Sequence, residues 1–215
     1  KYSDYFLETK LPVYEMAKRV VRGEHHLSLT TVTIPEGFTL NQIAETMTLK
    51  LINFNKINFL TIAQSFEGSL FPDTYLFFLN ANETDVLKAL NDNFNKKIKT
   101  VRSMIDEVGK TEKEIIVMAS ILEKESKGEA DRDIISGILW KRIRLGMPLQ
   151  VDAVPETYKI KGLPEKPIAN PGLATIKAAI NPVNSPYLYY LHDKSGLVHY
   201  AKNFTEHNKN IERYL

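Results

Sequence analysis

The stretch "IIVMASILEKES", Ile115 to Ser126, runs eight residues with a single polar member, Ser120, into two carboxylates, Glu123 and Glu125. An apolar helix that ends in acids constrains everything packed around it. At about 100° per residue, Glu125 falls between Met118 and Ile121 and beside Leu122, on the apolar side. Lys124 falls near Ser120, on the polar side, and Glu123 on the flank near Ile116 and Ala119. Residues two apart on a helix do not face each other, so each carboxylate needs its own account. In one reading the helix ends here and both side chains reach water or an arginine, with Arg132, Arg142 and Arg144 as candidates. In the other, Glu125 lies in an apolar pocket, burial raises its pKa, and it serves as a general acid. Glycosidic bond cleavage is the chemistry that most often uses such a group.

The chain around this stretch has 215 residues, 43% hydrophobic and 25% charged, with a net charge of +2. That suits one large domain or a domain with a fragment, and gives no electrostatic pointer to nucleic acid. No apolar run reaches the roughly 18 residues of a spanning helix, so the segment is expected to be soluble. Its start at Lys1, without a Met or a signal-like region, is what a chain trimmed of an anchor would show. The absence of cysteine excludes disulfides, thiolate catalysis and thiolate zinc sites, and fits an extracytoplasmic protein. His25, His26, His192, His199 and His207 make no recognised zinc-ligand spacing, so no metal is expected.

Periodicity places a helix over Leu11–Gly23 with Val13, Met16, Ala17, Val20 and Val21 on one face, then a strand in "LSLTTVTIPEG". Thr39 caps a helix whose inward residues are Leu40, Ile43, Ala44, Met47 and Leu51. The aromatic stretch Phe66–Asn80 reads as a turn and a strand from Thr74. A long helix is expected from about Thr84 to Val108. Thr111 with Glu114 forms a capping box for the Glu125 helix. A further helix runs from about Ala130 to Gly146. "GLPEKPIANPG" reads as an ordered loop, "YLYYLHDKSGLVHYA" as a hairpin turning at Asp193–Gly196, and "FTEHNKNIERYL" as a last short helix.

Six words occur in order: "EGSLFPDTY" (Glu67–Tyr75), "MASILEKES" (Met118–Ser126), "RIRLGMPLQVD" (Arg142–Asp152), "TYKIKGLPEKPIANPG" (Thr157–Gly172), "AAINPVNSPYLYYL" (Ala178–Leu191) and "EHNKNI" (Glu206–Ile211). Together they closely resemble the endolytic murein transglycosylases, the MltG or YceG-like family, from about residue 66 to the end. The resemblance implies an α+β fold. Residues 66–215 would form the catalytic domain, with several helices and a small antiparallel sheet. Residues 1–65 would be the end of a small LysM-like α+β subdomain and a linking region. It also implies a membrane anchor N-terminal to this segment and a place on the extracytoplasmic face of the bacterial inner membrane. The substrate would be peptidoglycan glycan strands, and the cell-wall synthesis machinery a partner. The cut falls between N-acetylmuramic acid (MurNAc) and N-acetylglucosamine (GlcNAc), and leaves 1,6-anhydro-MurNAc ends.

The family's catalytic acid is the second glutamate of the E-K-E word, here Glu125, the residue the helical period puts on the apolar side. Glu123 takes a structural role or a supporting one. The other words suggest substrate-binding residues: Gln150, Asp152, Tyr158, Asn170 and Tyr189, with Glu67, Asp73, Tyr75, His207 and Asn208. Alternative functions are a muramidase-type hydrolase of the same bond and a noncatalytic peptidoglycan-binding scaffold. No Gly-rich phosphate loop or lysine motif for pyridoxal phosphate is present, so no cofactor is expected. The sequence departs from the family in three places. Lys141 stands where the family has Asn, Ala153-Val154 where it has Pro-Thr, and only Pro155 and Glu156 separate Val154 from Thr157 where it has a longer insertion. A break in the chain is therefore expected near Val154–Pro155.

Overall fold

One stripe of a single helix, Val86, Leu90, Phe94 and Ile98, holds the architecture together. The four residues sit at successive i+4 positions of α4 (Glu83–Lys99) and so share a face. Val86 and Leu90 belong to one apolar core, Phe94 and Ile98 to a second. The computed structural model describes residues 10–23, 28–126 and 128–215; the His25-His26 pair lies outside them.

The first core lies between a two-stranded sheet and two helices. Strands β1 (Leu29–Thr33) and β2 (Thr74–Phe78) pair antiparallel, Leu29 against Phe78 and Thr33 against Thr74. Val32 and Phe77 point inward by the strand alternation and are buried. They meet α2 (Leu40–Lys50), whose expected N-cap Thr39 forms a capping box with Gln42, and which buries Leu40, Ile43, Ala44 and Met47. Helix α3 (Lys56–Ala63) closes the unit with Phe59 and Ala63. This core draws on residues from both sides of position 66, since Leu70, Phe77, Val86 and Leu90 belong to it. The N-terminal helix α1 (Val13–Arg22) ends at Gly23 in the left-handed region, as its glycine requires, but its apolar face is not buried: Val13, Tyr14, Val20 and Val21 are exposed.

The second core surrounds α6 (Glu112–Glu125), whose residues Ile115 to Leu122 are all buried. Ser120 is no exception, so the expected polar side of this helix does not face water. Its hydroxyl donates to Val117 O and accepts from Ile168 N–H, which satisfies it inside the protein. Covering the helix on every side takes α5 (Arg102–Glu107), α7 (Glu129–Arg144) and α8 (Leu173–Ile180). Trp140 on α7 donates its indole N–H to Ala179 O on α8 at 2.9 Å. The long helix expected to Val108 is in fact two. Thr100 Oγ1 takes the Lys97 carbonyl, and Val101 turns inward, 1% exposed, before α5 begins. A hairpin of β3 (Tyr189–His192) and β4 (Val198–Ala201) follows, with α9 (Phe204–Tyr214) against it. The fold is thus α+β, with two small antiparallel sheets. Among the described residues no helix is long and apolar enough to cross a membrane.

The two cores are latched by Asn170, which is fully buried. Its side chain accepts from Leu70 N–H at 2.9 Å and donates to Phe38 O at 3.0 Å and Glu67 Oε1 at 2.9 Å. Glu67 in turn accepts from Leu40 N–H. Asn170→Ala leaves the buried Leu70 N–H without its acceptor and removes one of the donors to Phe38 O and to the Glu67 carboxylate. A loss of about 2–4 kcal/mol in unfolding free energy is expected, read by urea denaturation. A loss under about 0.5 kcal/mol, the range of an ordinary surface change, would contradict the latch.

Candidate active site

Glu125 is the last residue of α6 and stands at the rim of a cleft of about 660 Å³. Four other parts of the chain supply its walls: Arg142 from α7, Gln150 to Tyr158 from the loop after it, Tyr189 and Tyr190 from β3, and His207 and Asn208 from α9. The helix termini and the hairpin meet here because α6 is buried up to Leu122 and only its end emerges.

Glu125 is half-buried, and burial is the largest influence on it, raising its pKa above the ordinary 4.5. The negative charge of Asp152 acts in the same direction. Two hydrogen bonds work against it, from the Tyr190 hydroxyl to Oε2 at 2.9 Å and from the backbone N–H of Ala153. The net shift is upward. Tyr190 is itself held well above the usual phenol range, first by burial and then by the Glu125 charge, so its hydroxyl remains a donor. No Lys or Arg forms an ion pair with Glu125 among the described residues.

Glu123 points elsewhere. Its Oε2 accepts from Gly172 N–H at the start of α8, 2.9 Å away, so the carboxylate serves a helix N-terminus.

Arg142 is 4% exposed yet has no carboxylate within ion-pair distance among the described residues. Its Nε donates to Pro148 O at 3.0 Å, its Nη2 to Gln150 Oε1, and its guanidinium lies 5.3 Å from the centre of the Tyr189 ring. Burial depresses its pKa below the ordinary guanidinium value, but an arginine stays charged at neutral pH. Gln150 has φ +53°, the left-handed region that non-glycine residues seldom occupy. Such a conformation costs about 1–3 kcal/mol and persists where the surroundings enforce it. Here the Arg142 bond and a Gln150 N–H bond to Thr157 O do so.

Six of the expected binding residues line the cleft with Glu125: Gln150, Asp152, Tyr158, Tyr189, His207 and Asn208. Tyr158 donates its hydroxyl to Asp152. Tyr189 is not an open platform, because its ring is engaged by Arg142 and stacks on His207 at 5.1 Å. Burial and then the Arg142 charge lower the His207 pKa, which favours the neutral ring. The other four do not line it. Glu67 and Asn170 belong to the latch between the cores. Asp73 accepts from Asn93, and the Tyr75 hydroxyl donates to Phe71 O, its pKa raised to about 12 by burial. Sequence reasoning placed neither Tyr190 nor Arg142 among the site residues. Arg142 carried a signal, since it follows Ile135, Ile138 and Leu139 on the buried stripe of α7, as Glu125 follows the apolar side of α6. Tyr190 carried none, because strand alternation does not say which of two adjacent tyrosines faces the glutamate.

The expected break near Val154–Pro155 is absent. Val154 O accepts from Thr157 N–H at 2.9 Å, closing a tight turn at Pro155–Tyr158.

Comparison with known proteins gives a consistent set of relatives. The sequence model of the YceG-like family matches residues 1–155 and 156–213. The endolytic murein transglycosylase of Bacillus subtilis is 33% identical over 187 residues, 75% of this chain and 50% of that protein. That of Streptococcus pneumoniae is 25% identical over 279 aligned residues, covering 98% of this chain and 50% of that protein. The chain therefore spans about half the length of the curated relatives it matches. The crystal structure of a YceG-like protein from Listeria monocytogenes superposes with a TM-score of 0.78 at 26% identity, over 91% of this chain and 80% of that one.

The Glu125 environment has a consequence for stability that needs no substrate. A carboxyl whose folded pKa stands above its unfolded value contributes stability in full below the unfolded value and loses it as pH rises through the folded one. With the unfolded value near 4.5, that loss sets in above pH 4.5. Glu125→Gln has no charge to bury. It is expected to melt at or above the parent at pH 7, and the difference should close as pH falls to 4.5. A variant that is less stable than the parent at pH 7 and equal to it at low pH would reverse the sign and contradict the raised pKa.

Proposed function

The chain belongs to the YceG-like family, and we propose that it carries the catalytic part of an endolytic lytic transglycosylase acting on peptidoglycan. The bond cut is the one from MurNAc to GlcNAc within a glycan strand. The observation that carries the proposal is Glu125: a half-buried carboxyl at a cleft, pushed up by burial, with one hydroxyl aimed at it. A general acid works best with its pKa near the operating pH, and burial moves a carboxyl in that direction.

Glu125 gives its proton to the bridging oxygen as the bond from the muramic anomeric carbon breaks. The leaving GlcNAc departs as an alcohol, and positive charge develops on the muramic ring. The C6 hydroxyl of that ring attacks the anomeric carbon and its proton passes to the Glu125 carboxylate, which restores the acid. One C–O bond breaks, one forms, and no water is consumed. Tyr190 donates to the carboxylate while it is charged, which keeps it from becoming too strong a base. Gln150, Asp152, Tyr158 and Asn208 bind the sugars, and Arg142, Tyr189 and His207 support them. The core around α6 with its cleft forms the catalytic unit, and the first core, which draws on residues from both sides of position 66, is the end of a LysM-like subdomain. The site works on the extracytoplasmic face of the membrane, beside the machinery that makes the strands.

A second function has one observation in its favour. Asp152 shares the cleft, and a second carboxylate is what a hydrolase uses to activate water. Mass spectrometry of products from purified glycan strands separates the two: anhydro-muramyl ends from internal cuts are expected, whereas reducing muramic ends would mean hydrolysis. Glu125→Gln should lower product yield by about a hundred- to ten-thousandfold at an unimpaired melting temperature. Glu123→Gln should retain turnover, with any loss tracking a lower melt. A Glu125→Gln protein near the parent rate would remove the assignment.

A further inference from the structure

Gln150 is held at both ends. Its backbone N–H is bonded to Thr157 O at 3.1 Å, and its side-chain oxygen accepts from Arg142. Arg142 has only donors to offer, so the amide must turn its oxygen toward the guanidinium. The NH2 group is then the end left for the cleft, which Gln150 lines and into which it is exposed. Arg142 itself is locked by Pro148 O, by the Tyr189 ring and by burial. Its charge is unmatched by a carboxylate among the described residues. A cation bonded to the oxygen of an amide polarises it and makes its N–H a better donor.

Building on the transglycosylase function proposed above, we infer that Arg142 fixes the Gln150 amide as a hydrogen-bond donor subsite for an acyl oxygen of the glycan, carried by an acetamido or a lactyl group. An acyl oxygen is an acceptor only, whereas a sugar hydroxyl also brings a proton and needs no fixed donor. The buried charge of Arg142 behind the amide favours an acceptor that is partly or fully negative. Arg142 is a positioning residue in this scheme, and Gln150 determines specificity.

Gln150→Glu tests it. The carboxylate keeps the size and the Arg142 contact but replaces the donor with an acceptor. Two substrate pairs are compared by kcat/KM: N-acetylated against de-N-acetylated muramyl strands, and muramyl strands with a free lactyl carboxyl against chitin oligomers, which lack the lactyl group. The parent should prefer the substrate bearing the recognised group by about tenfold, the worth of one good hydrogen bond, and Gln150→Glu should erase that preference in one pair. The pair that responds names the source, acetamido or lactyl. Equal losses on all four substrates, or no loss on any, would overturn the inference, because a merely structural role of Gln150 cannot distinguish substrates. The same four ligands are titrated calorimetrically against proteins carrying Glu125→Gln, with and without Gln150→Glu. If the parent cleaves nothing, the transglycosylase function fails by itself. The pairwise difference in Kd then decides the subsite, its presence supporting the inference and its absence overturning it.

Discussion

A helix whose middle turns have no exposed face is the constraint from which the rest follows. Each of the eight residues from Ile115 to Leu122 is buried, so α6 has to be wrapped on all sides. Helices α5, α7 and α8 do most of this, and the segment around Ile168 completes it by bonding to Ser120. Burial on this scale stabilises by about 1.5–3 kcal/mol for each large apolar side chain, as an upper estimate. Such a core fixes where the helix ends to within a fraction of a turn. Glu125 is the residue at that end, and the cleft forms where the wrapping stops.

The electrostatics of the cleft are set by groups that would be unfavourable anywhere else in the fold. A carboxyl is half-buried beside a second carboxylate, a guanidinium is buried without an anion, and a glutamine holds a left-handed backbone. Each is compensated locally, by Tyr190, by Pro148 O with the Gln150 amide, and by Thr157 O respectively. Clustering of this kind is the physical signature of a site shaped for a ligand rather than for stability. Glu123, two residues away on the same helix, instead accepts from Gly172 N–H at the start of α8.

Much of this was legible in the sequence because it rests on short-range rules. The N-cap at Thr39, the capping box at Thr111, the hairpin turn at Asp193–Gly196 and the apolar placement of Glu125 follow from spacing and side-chain chemistry, and the structure has them all. The break at Thr100 was hidden because the apolar period runs on through Val101 and Ile105, while the interruption is local: the Thr100 hydroxyl bonds the Lys97 carbonyl and the Thr100 and Val101 N–H groups bond three residues back. Helices α3 and α8 were not foreseen. Both are eight residues long, too short to show a period. Glu67 and Asn170 stood in words that resemble a family of enzymes, yet they join the two cores rather than line the cleft. A resemblance of words says that residues matter, and only long-range packing says whether for the site or for the fold. Tyr190 belongs to the same limit, since its bond to Glu125 spans 65 positions of sequence.

The account turns on whether Glu125 holds its proton more tightly than an ordinary carboxyl. The direct measurement is a pH titration of its side-chain carbon by ¹³C NMR, with the resonance assigned by its disappearance in Glu125→Gln. Burial outweighing the Tyr190 and Ala153 bonds predicts a midpoint above 4.5. A midpoint at or below 4.5 would show that the hydrogen bonds win, and that Glu125 is charged at neutral pH and no general acid.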